Sequence, residues 1–137
     1  MSSTAGYSGT PLPRKLGFRP GLRAVLLGAP ADFATTLGEL PGGVRLGRRL
    51  AAGTDMVIIF VTRRAELARR IGALKDAIAP DGMVWVAWPK KAAKVPTDMT
   101  EDVVREVALP TGLVDVKVCA IDATWSGLKL VIRKELR

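Results

Sequence analysis

The sequence predicts an α/β fold in which a mostly parallel sheet of about six strands lies between two layers of helices and ends in an antiparallel hairpin. Apolar runs at residues 22–27, 56–61 and 83–88, unbroken except for Arg23, are typical of strands that are buried on both faces. Helical patterns separate these runs, which indicates parallel strands joined by crossover helices. After residue 113, apolar residues recur at every second position, as in antiparallel strands.

The amino-terminal third predicts a tail, two short helices and two strands. Residues 1–9 are small and polar and predict a flexible tail, so the single domain is expected at residues 10–137. Thr10 is the expected N-cap of a first helix, and Asp32 is the expected N-cap of a second helix that reaches residue 40. The first apolar strand lies between the two helices, and a short strand at residues 44–46 follows them.

The middle of the chain predicts two further helices. The first spans residues 63–78 behind the cap residue Thr62. Its apolar side is formed by Leu67, Ile71, Leu74 and Ile78, and its arginines are interpreted as a solvated face. Asp98 and Glu101 stand at capping-box spacing, so Asp98 is expected to begin the second of these helices.

The last third predicts the two strands of the hairpin. In the first strand Val114, Val116, Val118 and Ala120 are expected to face one side of the sheet, and Asp115, Lys117 and Cys119 the other side. Cys119 is interpreted as inert packing rather than as a nucleophile. Trp125, in the turn, is expected to fold back onto the core, and contact with a partner is the alternative.

Composition limits the chemistry that one copy of the chain can perform. The chain has no histidine, and Cys119 is its only cysteine. Disulfides, Cys/His metal sites and Ser-His or Cys-His nucleophile pairs are therefore excluded within one chain, and we predict neither a metal site nor catalytic residues. The formal net charge of +8 favours an acidic partner, such as a nucleotide, a nucleic acid or an acidic protein surface.

No part of the sequence indicates export or membrane insertion. The amino terminus lacks the basic and apolar regions of a signal peptide. Apolar runs also stay far below the ~20 residues of a membrane-spanning helix. We therefore expect a cytoplasmic protein without a membrane partner.

The order of helices and strands resembles a shortened class I S-adenosylmethionine-dependent methyltransferase, a Rossmann-like fold whose sheet also ends in an antiparallel hairpin. The resemblance covers roughly residues 10–135 and is one of topology. It implies the strand order 2-1-3-4-6-5, numbered along this chain.

In several short sequence motifs, the chain resembles the bacterial domain-of-unknown-function family 3052, a family of short proteins. The phrases that carry this resemblance are residues 7–12 (YSGTPL), 88–91 (WPKK), 97–102 (TDMTED), 112–118 (GLVDVKV) and 125–128 (WSGL). Membership in that family would not indicate which activity the protein has.

The turn after the first apolar strand is the place where such folds hold a cofactor, and its residues argue against one. A dinucleotide or S-adenosylmethionine turn needs several glycines, whereas this turn has only Gly28. Pro30 has no N–H, and Asp32 would occupy the helix end that a phosphate needs. The second strand is followed by Arg48 instead of an acidic residue that would hold ribose hydroxyls. We therefore predict no cofactor and disfavour S-adenosylmethionine.

The sequence predicts a ligand site at the carboxyl end of the third apolar strand, where Lys90, Lys91 and Lys94 form a basic loop. Their ammonium groups suit an anion, Trp88 suits stacking on a base, and Arg63 is expected to face the same crevice. The structural alternative is a solvated loop beside a buried tryptophan.

The function predicted from these residues is a non-catalytic binding domain for an anionic metabolite or nucleotide. One alternative is a basic protein that associates with nucleic acid. A second is an interaction domain that uses the hairpin edge or Trp125 to bind a protein partner or a second copy. The third is an S-adenosylmethionine-dependent methyltransferase, which would require an unusual cofactor turn.

Overall fold

A computed structural model describes residues 9–137, which contain six strands and four α-helices. The strands are β1 (Arg23–Leu27), β2 (Arg45–Gly47), β3 (Thr54–Phe60), β4 (Ile78–Pro89), β5 (Leu113–Ala120) and β6 (Trp125–Ile132). The helices are α1 (Leu12–Leu16), α2 (Phe33–Leu37), α3 (Arg64–Ala77) and α4 (Glu101–Ala108). The predicted tail, apart from Gly9, lies outside the described residues.

The strands form one sheet in the order β2-β1-β3-β4-β6-β5. β1, β2, β3 and β4 are parallel, and β6 lies antiparallel between β4 and β5. This confirms the predicted α/β fold and its strand order. The segments that connect the central strands lie on both faces of the sheet, so the helices form two outer layers.

The core has two parts, one on each face of the sheet. Alternate residues of the central strands contact α3 and α4 on one face, and the intervening residues contact α1 and α2 on the other. In β3 both sets are buried, with Ile58 and Ile59 each 0% exposed, which explains the unbroken apolar sequence of this strand. Among residues 9–137, no helix is long and apolar enough to cross a membrane.

Asp98 caps the amino end of α3 and not that of α4, which its spacing predicts. The N-cap of α4 is Thr100, whose side chain accepts a hydrogen bond from the Val103 N–H at 3.1 Å. Asp98 instead accepts from the Arg64 N–H at 2.7 Å, at the start of α3. Thr97 holds this loop in place, because its hydroxyl donates to the carbonyl of Thr62 at 2.6 Å. The loop before α4 therefore supplies the cap of α3 that was expected from Thr62.

The second helix is shorter than predicted and has no side-chain cap. α2 ends at Leu37, because Gly38 follows with a φ of 79°. The Asp32 side chain makes no capping hydrogen bond. Asp32 is the N-cap residue, as predicted, but the predicted extension of this helix to residue 40 is wrong, and α2 is a short helix that places Phe33 and Leu37 in the core.

A β-bulge in β5 changes which of its side chains face the core. Asp115 pairs with Leu130 and Lys117 with Lys129, so the pairing shifts at Val116. Val116 and Val118 are 52% and 45% exposed, and Val118 no longer faces the same side as Val114, contrary to the predicted alternation. Asp115 no longer shares a face with Lys117. Its carboxylate accepts from Nε of Arg105 at 2.9 Å, and this hydrogen bond lowers the pKa of Asp115.

Two predictions for the hairpin, inert packing of Cys119 and a Trp125 ring folded onto the core, are confirmed. Cys119 is 5% exposed, and burial raises the pKa of its thiol, so the residue is packing. Trp125 folds back onto the sheet, where its ring meets Phe60 edge-on with the ring centroids 5.1 Å apart. Phe60 makes a similar contact with Phe33 at 4.9 Å. The hairpin turn is thus tied to α2 through β3.

Candidate functional site

A cleft opens at the carboxyl ends of β1 and β2, the edge of a parallel sheet where ligands collect in open α/β folds. Its volume is about 510 Å³, within the usual range for small-molecule sites. One wall is the turn from Gly28 to Ala31, and the opposite wall is Leu46, Gly47 and Arg48 at the end of β2. Phe33 of α2 and Arg70 of α3 complete the lining, together with Leu26 of β1.

Gly28 is required for the approach of the strands. Its φ is 71°, and a Cβ at this position would lie 2.9 Å from the carbonyl oxygen of Phe60. β1 and β3 therefore come together at their carboxyl ends only because residue 28 has no side chain. The one glycine of the turn serves the packing of the sheet, which accounts for it without a ligand.

The charged side chains of the cleft are both arginines. Arg48 is exposed, and Arg70 is half-buried on the side of α3 nearest the cleft. The only ion pair of Arg70 in the described chain is with Glu66, at 4.0 Å, so its guanidinium has donors left for a ligand. No Asp or Glu belongs to the described lining. The cleft is therefore electropositive and suits an anion.

The residues of the predicted lysine site lie elsewhere, and none of them lines this cleft. Lys90 donates its N–H to the carbonyl of Thr124 at 2.7 Å, and Lys91 begins a short 3₁₀ turn that ends at Lys94. Arg63 is exposed immediately before α3. In residues 9–137 none of these four cations forms an ion pair.

Trp88 is 7% exposed and belongs to the core beneath α3 and α4. A ring that is covered to this extent has no open face for a base to stack on, which agrees with the structural alternative of a buried tryptophan. The basic loop consequently offers ammonium groups without the aromatic partner that the sequence predicted.

Sequence reasoning missed the role of Arg70. Its position on the polar side of a helix gave no sign of a binding site, because the pattern shows only that the residue points away from the apolar stripe. Arg48, by contrast, follows the second predicted strand closely, so its place at the carboxyl edge of the sheet is readable from the sequence. The sequence could not show that Arg70 of α3 lines the same cleft as Arg48.

Comparison of the structure with solved structures shows which fold this is. A putative type 11 methyltransferase from Sulfolobus solfataricus has a TM-score of 0.65 at 14% identity, with 90% of each chain covered. A SAM-dependent methyltransferase from Aquifex aeolicus has a TM-score of 0.64 at 15% identity, covering 87% of this chain and 86% of that one. A TehB-like SAM-dependent methyltransferase from Corynebacterium glutamicum has a TM-score of 0.56 at 11% identity, with 94% and 91% covered.

The chain therefore has the Rossmann-like fold of class I methyltransferases, and at these identities the likeness concerns the fold alone. No protein family and no curated protein sequence matches the chain. The resemblance to family 3052 accordingly stays a prediction.

The residues of the cleft do not fit S-adenosylmethionine, the cofactor that the fold implies. The turn has a single glycine, already used against Phe60, and Pro30 offers no N–H to a ligand. No carboxylate in the described lining can accept from ribose hydroxyls. The cofactor also carries a sulfonium cation, whereas the cleft presents Arg48 and Arg70. The fold is that of the methyltransferases, but the chemistry of the lining is different.

Proposed function

We propose that this protein is a non-catalytic binding domain that holds an anionic metabolite or nucleotide in the cleft at the carboxyl ends of β1 and β2. The observation that carries the proposal is that both charged residues of the cleft are arginines. Guanidinium groups bind phosphates and carboxylates through paired hydrogen bonds, and they keep their charge at every physiological pH.

The rest of the lining suits the uncharged part of such a ligand. Leu26 and Leu46 provide apolar surface, which favours a flat base or another apolar group beside the anion. Leu46 is 42% exposed, so its side chain is accessible to such a group. A nucleotide combines both features, and the cleft volume accommodates one.

The double variant R48Q/R70Q tests this placement. We expect its affinity for the best-bound nucleotide or sugar phosphate to fall at least about tenfold, because hydrogen bonds to charged groups are each worth roughly 1.5–3 kcal/mol. The matched control is R49Q/R69Q, which removes the same charge from the neighbouring residues that do not line the cleft. Affinities are measured by calorimetric titration at one salt concentration.

The basic loop is the other location for the same ligand, and a third variant separates the two. If K90Q/K91Q weakens binding while R48Q/R70Q does not, the ligand lies at the loop and the placement in the cleft is wrong. If R48Q/R70Q and R49Q/R69Q weaken binding equally, the effect is one of overall charge and the placement is also wrong. Unfolding temperatures of all three variants show whether a loss of binding reflects a loss of structure.

A further inference from the structure

Two lysines of the hairpin stand directly opposite each other, far from the cleft. Because of the bulge in β5, Lys117 is the cross-strand partner of Lys129 of β6. Side chains of directly paired residues lie on the same face of a sheet, here the face that carries α1. The pair is separated from the β1–β2 cleft by four strand spacings, or about 20 Å.

The pairing of β5 with β6 fixes the positive charges of Lys117 and Lys129 opposite each other. Like charges directly opposite on a sheet destabilise the pair, and burial followed by the charge of Lys117 lowers the pKa of Lys129. In the part of the chain that the structure describes, no carboxylate pairs with either lysine. The bulge has turned Asp115, the nearest acidic residue in sequence, to the other face, where Arg105 binds it.

A third cation reaches the same place from α1. Lys15 is close enough to Cys119 to act on the pKa of its thiol in the same direction as Lys117 does. Cys119 follows Lys117 by two residues and pairs with Gly127, so it lies on the α1 face as well. The carboxyl end of α1 is fixed over the sheet, because Nε1 of Trp85 donates to the carbonyl of Leu16 at 2.8 Å. Trp85 is the β4 partner of Lys129, so the end of α1 that carries Lys15 lies next to the strand position of the lysine pair.

We propose that Lys15, Lys117 and Lys129 form a phosphate-binding site on the α1 face of the hairpin, separate from the β1–β2 cleft. A phosphate group carries the charge that the described residues do not supply there, and lysines bind it as point charges. Proteins keep locally unfavourable arrangements of this kind mainly at functional sites. The site takes a small phosphate group, which comes either as inorganic phosphate or as a phosphomonoester.

The test compares unfolding temperatures in sodium phosphate and in sodium chloride of equal ionic strength. The wild-type protein is expected to unfold at a higher temperature in phosphate. K117Q and K129Q are expected to lose at least half of that increment, and in sodium chloride to be at least as stable as the wild type, since each removes one of two opposed charges. The control K134Q has the same change of charge at an exposed residue outside the site and keeps the increment.

The non-specific effect of phosphate on stability acts on all variants alike and is removed by the comparison with K134Q. The variant K15Q repeats the test without altering the sheet, in case the strand variants fold poorly. A titration with glucose 6-phosphate against inorganic phosphate distinguishes the two sources. The proposal would be overturned if K117Q, K129Q, K15Q and K134Q showed equal increments. It would also be overturned if the wild-type protein unfolded in phosphate at a temperature no higher than in sodium chloride.

The outcome is independent of the function proposed for the cleft. R48Q/R70Q leaves Lys15, Lys117 and Lys129 unchanged and is expected to keep the phosphate increment while losing the nucleotide. If the arginine variant instead loses the increment, phosphate binds in the cleft and the lysine site is wrong.

Discussion

Replacing Gly28 with alanine is expected to lower the free energy of unfolding by about 3 kcal/mol. A left-handed backbone costs an L-residue roughly 1–2 kcal/mol, and Gly28 has a φ of 71°. The added Cβ would also lie 2.9 Å from the carbonyl oxygen of Phe60, a backbone atom between two central strands that cannot move away cheaply. The change is measured by urea unfolding of the variant and the wild type.

The control for this prediction is Gly21→Ala. Gly21 also has a positive φ, 77°, but a Cβ there would meet nothing within 4 Å. Its loss of stability isolates the backbone cost, which we expect to be about 1–2 kcal/mol. If the two alanine variants lose the same stability, the contact with Phe60 has no energetic importance. In that case the approach of β1 to β3 would not explain why residue 28 is glycine.

Replacing Trp85 with phenylalanine is expected to cost a similar amount, about 3 kcal/mol. Trp85 is 0% exposed, and its Nε1 donates to the carbonyl of Leu16. Phenylalanine cannot donate this hydrogen bond, so the carbonyl at the end of α1 loses its partner inside the protein at a cost of roughly 1–3 kcal/mol. The smaller ring adds the cost of a cavity. Guanidinium unfolding gives the difference in free energy.

Trp88→Phe is the matched control, because it replaces a second buried tryptophan of the same strand with the same smaller ring. No hydrogen bond from the Trp88 ring occurs within residues 9–137, so this variant reports the change of ring size alone. An equal loss in the two variants would mean that the bond to Leu16 contributes nothing. α1 would then be held by its apolar contacts only.

The architecture was predictable from the sequence because the patterns that specify it are local. The unbroken apolar run of β3 needs no partner to be recognised as a buried strand, and the apolar stripe of α3 is complete within the helix. The change to alternating residues in β6 likewise indicates a strand with one covered face. The strand order did not follow from these local patterns; it was implied by the resemblance to the class I methyltransferases, and the structure confirms it.

The features that the sequence could not predict depend on contacts between distant residues. Asp98 has the spacing of a local cap, yet it is bound by the Arg64 N–H, 34 positions away in the sequence. The bulge at Val116 inverts the alternation of β5, and only the pairing with β6 shows where the extra residue lies. Arg70 of α3 and Arg48, which follows β2, line one cleft although they belong to different parts of the chain. Local sequence patterns do not indicate such contacts between distant residues.

We propose that this protein combines the fold of the class I methyltransferases with a cleft that binds an anion instead of S-adenosylmethionine. The most direct measurement is a thermal-shift comparison of S-adenosylmethionine with nucleotides and sugar phosphates, each at the same concentration and at physiological salt. A ligand of the native state at one hundred times its dissociation constant stabilises by about 2.7 kcal/mol, which moves the unfolding temperature by several degrees. We predict a shift with at least one phosphate-bearing ligand and none with S-adenosylmethionine. A shift with S-adenosylmethionine alone, or with no member of the panel, would contradict the account.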